Sequence, residues 1–175
     1  MDHARYSDEY IAGILAAAHV IAMVGASAGS NRPSFFAMKY LLGKGYTVVP
    51  VNPGLVGQQI LGQAVVATIA ELVPPVDMID IFRNSEAALA VTREAIAHRD
   101  RLGLKAIWMQ LSVVNAEAAR EAEAAGLKVV MNRCPKIEYG RLSGEIGWSG
   151  VNAGTISAKR PLLSGRGVQS HTLKR

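Results

Sequence analysis

One cysteine in 175 residues, Cys134, leaves no internal disulfide framework to build on. Histidine is nearly as scarce: His3, His19, His98 and His171 are scattered, and no pair has zinc-ligand spacing. No apolar run approaches the roughly 18 to 20 residues of a membrane span, and the opening "MDHARYSDEY" is too polar and acidic for a secretory signal. A soluble, cytoplasmic protein with no membrane partner is the expectation. Acid is missing altogether after Glu145, where Lys159, Arg160, Arg166, Lys174 and Arg175 stand alone; the other 14 bases balance all 14 acids. The net charge of +5 therefore belongs to the last residues and gives no reason to expect a nucleic-acid partner. Residues 159–175 are expected to form a basic, flexible tail.

What is present is a chain half hydrophobic, enough for one compact domain over 1–158 and too short for two ordinary ones. Ile11, Ile14, Leu15 and Ala18 recur at helical spacing behind Ser7, a good cap followed by Asp8 and Glu9, which predicts an amphipathic helix over 7–18. Five short apolar runs follow, "VIAMVG", "YTVVPV", "DMIDIF", "KAIWMQ" and "KVVMN", with helical patterns near 33–43, 85–102 and 115–125 between them. Runs apolar on both faces suit a buried parallel sheet. Asn84 and Asn115 open helices and Gly103 and Gly126 close them, which is capping chemistry in order. The fold class implied is α/β, doubly wound, with a mainly parallel sheet of Rossmann-like type. Between the second and third runs, a short strand near Ile60 and a helical turn at Ala67 to Leu72 fit. From about Tyr139 onward glycine and serine become frequent and periodicity fades, which predicts a loop-rich extension.

The stretch "VIAMVGASAGSNRPSFF" joins the first strand to the first crossover helix. Gly25 permits a sharp turn, Ala26 and Ser27 let backbone N–H groups approach a ligand, and Pro33 suits the first helical turn. The dinucleotide fingerprint GxGxxG is absent, because Ser27 replaces its second glycine. Arg32 supplies a guanidinium able to grip phosphate oxygens, with Ser30 and Ser34 close by. At the end of the second strand, where an NAD site places an acid for the ribose hydroxyls, stand Val51, Asn52 and Pro53. A phosphorylated ribose would repel a carboxylate and tolerate Asn, so NADP and coenzyme A both fit better than NAD.

The pieces "VGAS" with "RPS", "GYTVVPVNP", "VDMIDIFR", "IWMQL" and "RCPKIEYGRL", in this order from about Ile21 to Lys159, resemble the small bacterial coenzyme A-binding proteins. These are single Rossmann-type domains similar to the nucleotide-binding domain of the succinyl-CoA synthetase alpha subunit. The resemblance implies coenzyme A or acyl-CoA as ligand, with Gly25, Ala26, Ser27, Arg32 and Ser34 at the phosphates. It further implies Val51, Asn52 and Pro53 at the adenosine, and Phe82 with Arg83 in contact with the cofactor. Asn132 departs from the family's commonest wording, where an Asp precedes Arg133.

Gln110, at the end of the "IWMQ" run, is a further ligand candidate, whereas Trp108 reads as core. Cys134 has no His or acid at a spacing that would make a nucleophilic pair, so reversible binding is expected and a mixed disulfide with the cofactor is the minor alternative. No nucleophile, base or second substrate lobe is legible, and coenzyme A binding without catalysis is the leading reading. The alternatives are an NADP-binding oxidoreductase or redox-responsive module, and a subunit of an acyl-CoA ligase.

Overall fold

The computed structural model describes residues 2–145. Helix α1 (Asp8–Ala17), capped by the Ser7 side chain, leads into strand β1 (Val20–Val24). Then come α2 (Pro33–Gly43), β2 (Thr47–Val51), a small hairpin of β3 (Gln59–Ile60) and β4 (Gln63–Ala64), and β5 (Met78–Ile81). Helices α3 (Ser85–Ala97) and α4 (Arg99–Leu102), strand β6 (Ala106–Met109), helix α5 (Ala116–Ala124), strand β7 (Lys128–Val130) and helix α6 (Pro135–Leu142) complete the order. The main sheet runs β2-β1-β5-β6-β7 and every pairing in it is parallel. This is the α/β doubly wound architecture expected, and the five apolar runs are its five strands.

Alternation along the strands divides the core into two layers. Ile21, Met23, Met78, Ala106, Trp108 and Val130 pack under α1, α2 and α6. Ala22, Ile79, Ile81, Ile107, Met109 and Val129 pack under α3, α4 and α5. Asn84 and Asn115 accept the N–H groups of Ala87 and Ala118, capping α3 and α5 as anticipated. Asp77, at the amino edge of β5, accepts from the N–H groups of His19 and Val20 and pairs with Lys105 at 2.7 Å, clasping β1, β5 and the approach to β6.

The outer strands are held by bonds that come from outside the sheet. On β7, Val129 N–H donates to the Tyr10 hydroxyl, which donates back to the Val129 carbonyl, and Met131 N–H donates to the Tyr6 hydroxyl. Along β2, Val66 N–H donates to the Pro50 carbonyl and Asn52 N–H to the Val66 carbonyl.

The strand expected near Ile60 is present as β3, paired with β4 in a two-strand hairpin apart from the main sheet, and the helical turn expected at Ala67 to Leu72 is a 3-10 turn at Ile69–Glu71. Two expectations change. The helix read over 85–102 breaks at His98, where α3 ends and a four-residue α4 begins before left-handed Gly103. The loop expected from Tyr139 is helical as far as Leu142. Pro135 starts α6, Glu138 and Tyr139 bury one side, and Arg141 ties the helix to Asp8 and Glu138, each at 2.8 Å. One buried turn ending in Gly140 is too short to register as a period. The basic tail and the domain boundary at 158 lie outside the described residues.

Candidate functional site

In a sheet of order β2-β1-β5, the chain turns one way after β1 and the other way after β5, which leaves a crevice beyond their carboxyl ends. The Gly25 turn opens on that crevice. Gly25 has φ +87, and a Cβ there would come within 2.6 Å of the Phe82 carbonyl oxygen and 2.9 Å of Arg83 Cδ. Glycine is thus required twice, by backbone conformation and by the approach of β5. The Arg83 side chain is laid against the turn by the same geometry.

Around the turn, several of the expected ligand residues bond the backbone. Gly25 N–H donates to the Val51 carbonyl at 2.9 Å, and the Val51 side chain is buried in the core under α3 and α5. Asn52 bridges two loops: its Nδ2 donates to the Ala26 carbonyl at 2.7 Å and its Oδ1 accepts from Gly54 N–H. Pro53 is exposed beside it. Ser34 is buried with its Oγ accepting from Ser27 N–H at 3.1 Å, and Ser27 Oγ accepts from Gly29 N–H. Ser34 and Asn52 therefore hold the turn's shape.

What this bracing leaves over is a set of donors. Among the described residues, the N–H groups of Ala26 and Ala28 donate to nothing, and no side chain caps the amino end of α2. Arg32, at that end, and Arg83 are exposed and meet no carboxylate among the described residues. Two guanidinium groups, spare N–H groups and the positive end of a helix make a site for an anion with several oxygens, such as a pyrophosphate.

Beside the turn lies a cleft of about 540 Å³, lined by Phe36, Phe82, Arg83, Gln110, Leu111, Val113, Cys134, Lys136 and Ile137, with Pro33 and Ala37. It unites Phe82, Arg83 and Gln110 of the expected residues with Cys134 and Lys136. Its walls are mostly apolar and its rim carries cations, which suits a ligand that is anionic at one end and only mildly polar at the other. Burial pushes the Cys134 thiol up, with the carboxyl of Asp80 adding to the effect, and the Lys136 and Ile137 N–H groups acting the other way. A neutral thiol follows near pH 7, which is not an activated nucleophile.

Asp80 was not legible as a site residue. It is fully buried on β5 between Met23 of β1 and Trp108 of β6, and its oxygens accept from Gln110 Nε2 at 2.8 and 3.1 Å. Burial raises its pKa to about 7 against the opposing Gln110 bond. In the sequence, an acid in "DMIDIF" looks like the outward position of a strand; only the helix layer over it reveals the burial. Asn132, the departure noted above, has φ 53 and accepts from Ser112 N–H at 2.8 Å. Asn tolerates that left-handed conformation well, and its role is to join two loops.

A family model described as a CoA binding domain matches residues 19–140, from the start of β1 through most of α6. The chain belongs to that family. A relative from Bacillus subtilis, the uncharacterized protein YneT, is 31% identical over 119 residues, 68% of this chain and 84% of its own. A hypothetical protein from Pyrococcus horikoshii is 35% identical in its solved structure, with a TM-score of 0.73 over 79% of this chain and 94% of its own. A dinucleotide-forming acetyl-coenzyme A synthetase from Candidatus Korarchaeum cryptofilum, 24% identical, shares the fold over 63% of this chain and 25% of its own, with a TM-score of 0.53. The single-domain family and the likeness in fold to a synthetase domain agree with the resemblance read from the sequence. Among the described residues, no helix is long and apolar enough to cross a membrane.

Proposed function

We propose that the protein binds coenzyme A, as the free thiol or an acyl thioester, and performs no chemistry on it alone. The observation that carries this is the pairing of an anion site at the Gly25 turn with a mostly apolar cleft directly beside it, in a chain of the CoA binding domain family. The pyrophosphate rests on the spare N–H groups of Ala26 and Ala28, between Arg32 and Arg83, and the adenosine lies over Asn52 and Pro53. The pantetheine arm runs over Phe82 toward Gln110 and Cys134. Strand order supports this path, since β2, β1, β5 and β6 succeed one another across the sheet. Within the cleft burial keeps the Cys134 thiol neutral, which supports binding over catalysis.

Thermal unfolding tests the reading. Coenzyme A at a hundredfold excess over its dissociation constant should add about 2.7 kcal/mol of stability, and NAD markedly less. An equal or larger shift with NAD or NADP would overturn it. Arg32→Ala should weaken coenzyme A binding by about 1.5 to 3 kcal/mol with the unliganded melting point nearly unchanged, because the side chain is exposed and unpaired among the described residues.

A further inference from the structure

Gln110 lines the cleft with one amide atom already committed. A carboxylate only accepts hydrogen bonds, so the atom that meets both Asp80 oxygens is Nε2, and Oε1 is the atom left to the cleft. Among the described residues Oε1 has no hydrogen-bond partner, yet it is not sealed from solvent. Among the described residues Asp80 has no cation paired with it: Met23 and Trp108 flank it on β1 and β6, and Gln110 is its hydrogen-bonding partner. From α6 it faces the Cys134 thiol at the helix's amino end, from α2 the apolar Ala37 and Met38 cover the same layer, and Arg83 and Lys136 stand farther out at the cleft rim.

We infer that Asp80 is a positioning residue that, through Gln110, makes the cleft prefer the free thiol of coenzyme A to its thioester. The inference rests on the coenzyme A reading above, in which the arm's sulfur end reaches β6. A free thiol offers an S–H donor to Gln110 Oε1, whereas a thioester offers a carbonyl oxygen, and two acceptors facing each other repel. The orientation depends on charge. An ionised Asp80 holds Nε2 and presents Oε1; a neutral Asp80 carries an O–H that can donate to Oε1, so the amide turns over and presents Nε2, which suits the thioester. Since burial raises the Asp80 pKa to about 7, the preference for the free thiol is strong above neutrality and fades below it. Cys134 stays neutral over that range because its own thiol is pushed up.

The test is calorimetric titration of the whole chain, wild type and Asp80→Asn, with coenzyme A and acetyl-coenzyme A at about pH 6 and about pH 8, either side of the Asp80 pKa. One neutral hydrogen bond corresponds to roughly 3- to 10-fold in affinity. Wild type should favour coenzyme A by about that factor near pH 8, with the ratio falling severalfold near pH 6. Asp80→Asn, whose amide holds Gln110 in either orientation, should give a ratio near unity at both pH values. Loss of packing alone would weaken both ligands together and leave the ratio unmoved. A wild-type ratio that is constant with pH overturns the inference while the coenzyme A reading stands, and that measurement needs no variant to fold. Failure of wild type to bind either ligand overturns both.

Discussion

Gly25 and Asp80 are the two residues on which the site turns, and they fail in different ways. Gly25→Ala places a Cβ against the Phe82 backbone and asks a non-glycine residue to hold φ +87; the backbone strain alone costs about 1 to 3 kcal/mol. The expected result is a lower melting point together with lost coenzyme A binding, unlike Arg32→Ala, which should lose only the ligand. Asp80 is set by linkage. Its folded pKa of about 7 lies above the ordinary carboxyl value of 3.8, so the folded state holds a proton that the unfolded state has given up. Stability therefore falls as pH rises through the window between those values and levels off above it, a loss of roughly 4 kcal/mol at most. Asp80→Asn should flatten that slope and be more stable than wild type at about pH 8, a difference that urea titrations at several pH values would resolve. Asp77 has the opposite sign. Burial opposes its ionisation, but Lys105 and the Val20 and His19 N–H groups outweigh it and hold the carboxyl low, so its contribution is present at neutral pH and is lost in acid.

The strands were legible because each is apolar on both faces, a pattern that needs no tertiary context. Helix α5 was legible through its two ends, Asn115 and Gly126. Helix α6 was not, although it brings Cys134, Lys136 and Ile137 to the cleft. Its stability comes from partners far away in sequence, the Arg141 link to Asp8 and the packing of Tyr139 against Tyr40 and Tyr46, and no local period announces such bonds. For the same reason the turn residues were located more securely than their tasks. Ser34, Asn52 and Val51 lie at or beside the Gly25 turn, and their hydrogen bonds run to backbone. At this scale the two tyrosines of the leading segment are decisive. Tyr6→Phe with Tyr10→Phe removes the hydroxyls that bond Val129 and Met131 and should cost about 1 kcal/mol for each bond lost, read as an earlier denaturation midpoint with an unchanged slope.

Across the molecule, all that points to a ligand gathers at the carboxyl edge of the sheet, while the Asp77 clasp secures the opposite edge. By sequence the excess positive charge lies after residue 158, and the family match ends at residue 140. Deleting 161–175 is therefore expected to leave the affinity for coenzyme A unchanged and to lower the isoelectric point. A clear loss of affinity in the shortened chain would place the tail in the binding reaction.

The hydroxyls of Tyr6 and Tyr10 on one outer strand, and the Val66 backbone along the other, have a meaning for how molecules meet. A strand of another copy could join a parallel sheet only through unpaired N–H and carbonyl groups at its margins. Here Val129 and Met131 are already answered by tyrosine, and Pro50 and Asn52 by the segment that returns beside them. At these positions the margins offer no free group for growth of the sheet from molecule to molecule. The same two hydroxyls that stabilise the fold also occupy the outward groups of β7, and the doubly substituted protein should aggregate while still folded.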